Sequence, residues 1–416
     1  MINNQLKSNS RKQFMRRIWQ RKSHLFFTVL FFVLLFVAFK LWNRDDVYDK
    51  IEYVDGHFLN RDLLTIPVNQ WIEIYPKPPQ KSVFTNIFSG VNWHRQGHAG
   101  MTFASKRGTL LIFGSDSHGE NWDNSVHEFS PLTLEWIDHY PASPKGSYRA
   151  DKQAVAIAGE NDLFPWAMHT YDSISYVPEL GSLVITSKTD HTPAPTELAK
   201  NARINPTWLY DLESNKWSIL MQENGPSFFA SGSSYDPLTA SLWSYKENEL
   251  WRLDSKSRQW KMIPGKHKTD LTLHFTMITD TKRHQFMFFG NYNKSNSIWV
   301  YTPSTIPDQE GKWENRQPSG DVCPKAEHFP VAYESHQGVF LLVPDENAEK
   351  SVTLVYSPDT NTYIKVIGAD MPANGMNYMM DYDPYHRLFY LVTGDWSKPL
   401  KVWALRLDMQ KIARME

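Results

Sequence analysis

Apolar and polar positions alternate with a period of two along most of the chain after about residue 67, as half-buried strands do. The stretch Val126–Trp136, VHEFSPLTLEW, reads as a strand, a tight turn and a second strand carrying Trp136. The same figure returns as TWLYDLESNKW (Tyr210, Trp217), LWRLDSKSRQW (Leu253, Trp260) and TLVYSPDTNTY (Tyr356, Tyr363). A copy with a longer loop runs Ile298–Trp313. One hairpin repeated at intervals of roughly 40–55 residues, with one gap of ~80, marks a repeat architecture. The first complete unit begins at Gly97-His98, with an inner strand near Ala99–Ala104, the apolar strand Thr109–Phe113 and a loop to Asn124 before the hairpin. Further units begin at His169, about Ser231, His274, His328 and near Asn377. The last holds Leu388–Val392 and Val402–Leu407 but lacks its outer strand. Asn69–Tyr75, NQWIEIY, has the look of an outer strand without a first half. We therefore expect six four-stranded sheets round an axis, with Trp71–Tyr75 pairing beside Val402–Leu407 so that no sheet edge is left open.

A Tyr-type residue in the third strand, a short Asp/Ser-Pro/Asn turn and a Trp opening the fourth resemble a kelch repeat, shared by the galactose-oxidase-like propellers. The resemblance covers about residues 67–408. It implies an all-β, six-bladed propeller. The Gly-Gly usual after the second strand is reduced here to Gly114-Ser115, Gly290-Asn291 and Gly394-Asp395, and is lost at Ser187 and Val343. The resemblance further implies that loops entering the inner strands share one face with loops between second and third strands, and that ligand sites open there. Fold alone does not give function.

The N-terminus has a different pattern. Leu25–Phe39 is nearly all apolar, and Leu41-Trp42 extends it past Lys40, close to the ~17–20 residues a spanning helix needs. Lys40 can snorkel from the end of such a helix. Arg11, Lys12, Arg16, Arg17, Arg21 and Lys22 precede the run, while Asp45, Asp46 and Asp49 follow it, so the N-terminus stays in the cytoplasm and the body faces outward. A cleaved signal is the alternative, but the run exceeds a usual signal core and no small-x-small site follows. We expect a basic tail over 1–23, a signal-anchor helix over 24–42, a stalk over 43–66, the propeller over 67–408 and a tail over 409–416. The compartment expected is a bacterial periplasm rather than a eukaryotic lumen; the sequon Asn293-Lys294-Ser295 does not decide it.

Charge sharpens the picture. The chain has 44 Lys/Arg and 45 Asp/Glu, but nine of the basic residues and none of the acids lie in residues 1–44, leaving 35 against 45 and a body near −10. That excludes a nucleic-acid binder, which needs a basic stripe. Cys323 is the one cysteine, so no intrachain disulfide and no CxxC site exist.

Three groups of residues carry candidate chemistry. His98, His169, His274 and His328 stand where four inner strands begin, with Asn377 the nearest polar counterpart in the sixth unit. They either tie sheets together through backbone or converge on the channel mouth, to hold a metal, to touch substrate or to move protons. The loop Gly114–Asn124, GSDSHGENWDN, gathers Asp116, His118, Glu120, Asn121, Asp123 and Asn124 round Trp122. Carboxylates and amides beside an aromatic ring suit a sugar; the same composition suits a self-capped turn or a calcium loop, though not at EF-hand spacing. The long segments Ala142–Ala167 (Arg149, Trp166) and Lys188–Pro206 (Asp190, His191, Arg203) should overhang the same face, with Asp395-Trp396 as the opposite rim. Arg149 and Arg203 would suit a carboxylate or phosphate on the ligand.

No GxSxG elbow, P-loop or GxGxxG is present. Galactose oxidase itself needs copper and a tyrosine cross-linked to cysteine; Cys323 sits between units, and Tyr385-His386 sits in a turn at the opposite face. Sialic-acid mutarotases among kelch propellers use carboxylate and arginine in the mouth, roles that Glu120, Asp123 and Arg149 would take by that resemblance. The expectation is an anchored propeller binding a polar ligand, a glycan or sugar acid, at the mouth. An enzyme on that sugar and a scaffold for another envelope protein are its rivals. No cofactor is named by the sequence.

Overall fold

The computed structural model describes residues 50–74 and 98–412 apart from 115–121, 161–162, 188, 190–195, 205, 221–224, 227–228, 230, 266, 291–294, 325–326, 374–377 and 396–397. The apolar run 24–42 lies outside the described residues, and among those described no helix is long and apolar enough to cross a membrane. The chain divides into two compact units, Met1–Arg61 and Asp62–Glu416. In the first, Ile51–Val54 pairs with His57–Asn60 as a hairpin turning on Asp55-Gly56, both at positive φ. An Asp-Gly pair is the usual chemistry of a two-residue hairpin loop. The segment expected as a plain stalk thus holds a hairpin, and the second unit begins at Asp62 rather than at 67.

The second unit is an all-β, propeller-like array. Its inner strands are Gly100–Ala104, Ile174–Val177, Gly232–Asp236, Thr276–Asp280, Val331–Glu334 and Met379–Asp383, each opening an antiparallel sheet of at least four strands. Each inner strand touches the next, and the sixth touches the first, so these strands surround an axis. We number the sheets first to sixth in this order. Gly100 is required by this close approach: a Cβ there would meet the carbonyl oxygen of Tyr171 at 2.1 Å.

The repeated hairpin forms the two outer strands. Phe129 stands opposite Trp136, Tyr210 opposite Trp217, Leu253 opposite Trp260, Tyr301 opposite Trp313 and Tyr356 opposite Tyr363. Such aromatic cross-strand pairs contribute roughly 0.5–1.5 kcal/mol beyond buried area. The indoles also tie sheet to sheet. Trp260 Nε1 donates to Thr207 Oγ1 of the second sheet at 2.9 Å, and Trp217 Nε1 to Tyr140 Oη at 2.7 Å. Ile72–Ile74 pairs with Val402–Ala404 as the outer strand of the sixth sheet. Trp71, just before it, donates to Thr353 Oγ1 of the fifth sheet at 2.9 Å, the bond a hairpin tryptophan makes elsewhere. Tyr75 lies outside the described residues. Residues Met409–Ile412 form a short helix at the end of the chain.

The long segments after the first hairpin and in the second sheet meet each other. Arg149–Ala150, Ala156–Ala158 and Phe164–Pro165 form a small sheet. The backbone N–H groups of Arg203 and Ile204 both donate to Ala154 O, and Leu198 and Ala202 pack against Tyr148, Ala156 and Trp166.

Candidate functional site: an aromatic plug and an axial channel

Each inner strand begins at one end of the axis, and there the histidines gather. His98 and His169 have ring centroids 4.4 Å apart. Tyr171 reaches across the axis from the second sheet. Its ring lies 4.9 Å from His98, 5.4 Å from His274 of the fourth sheet and 5.4 Å from His328 of the fifth. Phe229, just ahead of the third sheet, stacks 5.8 Å from His169. Four imidazoles and two aromatic rings thus close this end of the channel as a plug.

The plug has directed hydrogen bonds. His274 Nδ1 lies 2.9 Å from Glu327 Oε2, so it donates there and leaves Nε2 to face Tyr171 Oη at 3.5 Å. His328 Nε2 donates to Asp172 Oδ2 at 3.1 Å, and the buried His328 Nδ1 has no hydrogen-bond partner among the described residues. Burial lowers the pKa of His274, against the opposing pull of Glu327, which keeps this imidazole neutral at pH 7. His98, Tyr171 and His274 all have positive φ, at 73°, 43° and 56°. Non-glycine residues in this region cluster where function over-determines the backbone. Backbone also joins sheets here: the N–H groups of Thr170 and Tyr171 both donate to His98 O. The imidazoles thus gather at this end of the axis, beside backbone that joins the first sheet to the second. Among the described residues, no set of three His, Cys, Asp or Glu side chains has metal-ligating geometry.

The other candidates are placed as follows. Asp123 accepts from the Ser125 backbone N–H at 2.9 Å and from its hydroxyl, and its second oxygen lies 3.5 Å from His127 Nε2. Trp122 is half-buried, edge-on to Tyr148 at 4.7 Å, with Lys145 Nζ 5.5 Å over its ring. Arg149 turns Nη1 to the carbonyls of Ser147 and Gly159. Trp166 is fully buried, its indole donating to Ile157 O at 2.8 Å, so both ring faces meet protein. Burial in the packing of the small sheet removes Trp166 from any ligand surface. Arg203 is exposed. Asp116, His118, Glu120, Asn121, Asp190, His191, Asn377 and Trp396 lie outside the described residues, as does the side chain of Asp395.

Sequence reasoning missed Tyr171, Asp172, Glu327 and Asp381. Each had a faint signal. Tyr171-Asp172 sits two residues past His169, and Glu327 directly precedes His328. Asp381 interrupts the apolar run YMMDYD on an inner strand, where a charge has no bland explanation.

The opposite end, where the inner strands finish, is built differently. Asp236, Asp280, Glu334 and Asp383 close four inner strands and are buried. Each caps its own turn by accepting backbone N–H groups: Asp280 from Lys282 and Arg283, Glu334 from His336 and Gln337, Asp383 from Tyr385 and His386. A tyrosine on the following sheet completes the clasp. Tyr333 Oη donates to Asp280 Oδ1 at 2.7 Å, and Tyr382 Oη to Glu334 Oε1. Tyr235 Oη donates to Glu179 at 2.7 Å in the same manner. Burial, reinforced by the carboxylate of Asp280, raises the Tyr333 phenol far above its ordinary value, so it remains a donor at every physiological pH.

No family model matches the chain, and no curated protein does. Among solved structures, the β-propeller domain of Swd1 (Cps50) from Myceliophteria thermophila is 11% identical at a TM-score of 0.42, over 74% of this chain and 96% of that one. An auxiliary nutrient binding protein from Bacteroides thetaiotaomicron is 12% identical at 0.46, over 75% of this chain and 69% of that one. A chain of the mitotic checkpoint complex is 11% identical at 0.43, over 80% and 98%. At TM-scores below 0.5 these are remote likenesses, and no role follows from them.

Proposed function

We propose that this chain is a membrane-anchored, extracytoplasmic, six-bladed kelch-like propeller that binds a polar ligand, of the glycan or sugar-acid class, over the plug formed by His98, His169, Tyr171, His274 and His328. The observation that carries the reading is the convergence of side chains from the first, second, fourth and fifth sheets on one tyrosine that crosses the axis. Imidazoles and a phenol offer donors and acceptors to hydroxyls, and their ring faces suit sugar C–H groups. The half-buried edges of His98 and His274 are the parts a ligand would reach.

A second reading has its own support. Glu327, His274 and Tyr171 form a hydrogen-bonded relay in which burial keeps the imidazole neutral and a carboxylate orients it. That is the arrangement of a general base, so the ligand would also be a substrate for proton transfer. The full chain in detergent, screened by thermal shift against neutral sugars and sugar acids with and without chelator, tests both. A ligand at 100 times its Kd stabilises by about 2.7 kcal/mol. The expected result is a shift with at least one sugar that His274→Gln abolishes. No shift with any sugar would overturn the binding reading. Binding without turnover, in wild type and Tyr171→Phe alike, would overturn the catalytic one.

A further inference from the structure

Behind the plug the axis holds a cavity of about 320 Å3, at the lower end of the ~300–1,000 Å3 typical of small-molecule sites. All six inner strands supply its wall. The wall continues onto the turns that follow them, at Pro178, Pro237 and Pro384, and includes none of the four plug histidines. The cavity therefore opens on the clasp face, and Asp172 is its point of contact with the plug.

Its chemistry is one-sided. Asp172 and Asp381 are the charged residues of the lining, and no Lys, Arg or His joins them. Asp381 is half-buried in the cavity wall and accepts from the backbone N–H groups of Phe103 at 2.6 Å and Tyr382 at 2.7 Å. Among the described residues no cationic side chain pairs with it. A partly desolvated carboxylate with no cation beside it, set in a cavity wall, favours a positively charged occupant. The rest of the wall mixes hydroxyls such as Ser234 and Thr279 with apolar side chains such as Met101 and Met277. Tyr235, Tyr333 and Tyr382 line it too, with their hydroxyls turned to the carboxylates of the clasps.

We infer that this cavity is a second binding site, open to the face opposite the plug, for a small organic ammonium ion with an aliphatic stem. Asp381 and Asp172 meet the charge, the tyrosine rings supply cation–π contact, and the methionines pack the stem. A bare metal ion fits poorly: the space is far larger than a coordination sphere, and the described residues offer no set of three ligands.

Isothermal titration calorimetry on the full chain in detergent, with 1,4-diaminobutane as the probe, tests it. Butane-1,4-diol is the neutral control, succinate the anionic one, and sodium and calcium chloride the inorganic ones. The diamine is expected to bind, and the diol and succinate are not. Asp381→Asn should weaken the diamine at least tenfold, and Asp172→Asn likewise, while His274→Gln leaves it within twofold. Thermal unfolding of each variant confirms that it is folded. Equal binding of the diol, no binding of the diamine, diamine affinity unchanged in both Asp variants, or calcium alone filling the site would each overturn the inference.

Discussion

The two ends of the axial channel are lined by residues of the same few types, tyrosine, histidine and carboxylate, put to different uses. At the clasp end each of the four carboxylates is matched to its own turn, and Asp236, Asp280 and Glu334 also to a side chain of the next sheet. Asp280 alone accepts from two backbone N–H groups, from Arg283 Nη1 at 2.6 Å and from Tyr333 Oη. At the plug end the rings crowd one another across the axis, and His328 Nδ1 is left with no described partner. Satisfied, repeated networks fix structure. Strained and partly satisfied ones cluster at sites that act. The comparison teaches that histidine or tyrosine at a repeat position is not a functional mark in itself; the pattern of satisfaction is.

The largest effect that would test this contrast is at the clasp. Asp280→Ala leaves buried donors unpaired and should cost about 3–5 kcal/mol in denaturant unfolding. A loss below about 1 kcal/mol would break the structural half of the comparison. Asp381 gives the next effect, with opposite sign. Burial raises its carboxyl from 3.8 to about 6, so the folded state holds its proton over a range where the unfolded chain has lost it. The group therefore destabilises the fold above pH 6, and the penalty fades as pH falls towards 4. Two units correspond to roughly 3 kcal/mol, less about 1 for the acceptor that asparagine lacks. Asp381→Asn should thus stabilise by about 1–2 kcal/mol at pH 7.5 and by nothing at pH 4. A variant less stable than wild type at pH 7.5 would refute the buried-charge account.

Smaller effects sharpen the contrast. Tyr382→Phe removes one donor from Glu334, which keeps His336 and two backbone N–H groups. About 1 kcal/mol should be lost in denaturant unfolding, with no change in ligand affinity at the plug. His274→Gln should cost least, under about 1 kcal/mol, because the imidazole is half-buried and its partner Glu327 is itself reached by water. Its mark should be on ligand binding instead. If Tyr382→Phe weakened binding and His274→Gln did not, the two ends would have been assigned the wrong way round.

Much of the fold was legible because it is written in local periodicity. The hairpin VHEFSPLTLEW and its copies carry their own register, since the pairs seven residues apart in four of the five, aromatic in three of those, must face across a tight turn. Trp71 could be placed because the sixth unit visibly lacked its outer strand. The hairpin at Asp55-Gly56 was passed over, although its turn pair was in plain view. The site was less legible because it is assembled across the axis. His98, His274 and His328 were found by their shared position. Tyr171, which unites them, occurs once and repeats nothing. Trp166 was misplaced because a tryptophan in a long segment reads the same whether it faces solvent or, as here, fills a small core. The clasp carboxylates did recur, as Asp236, Asp280, Glu334 and Asp383 at the end of the inner strand, but in a turn their periodicity reads as capping.

The account's central claim is that the plug is the end over which a glycan or sugar acid binds. Its most direct test is the affinity of the full chain in detergent for whichever sugar the thermal screen returns, measured for wild type, His274→Gln and Tyr382→Phe side by side. The account predicts at least a tenfold loss for His274→Gln and none for Tyr382→Phe. Equal affinity in all three would contradict it.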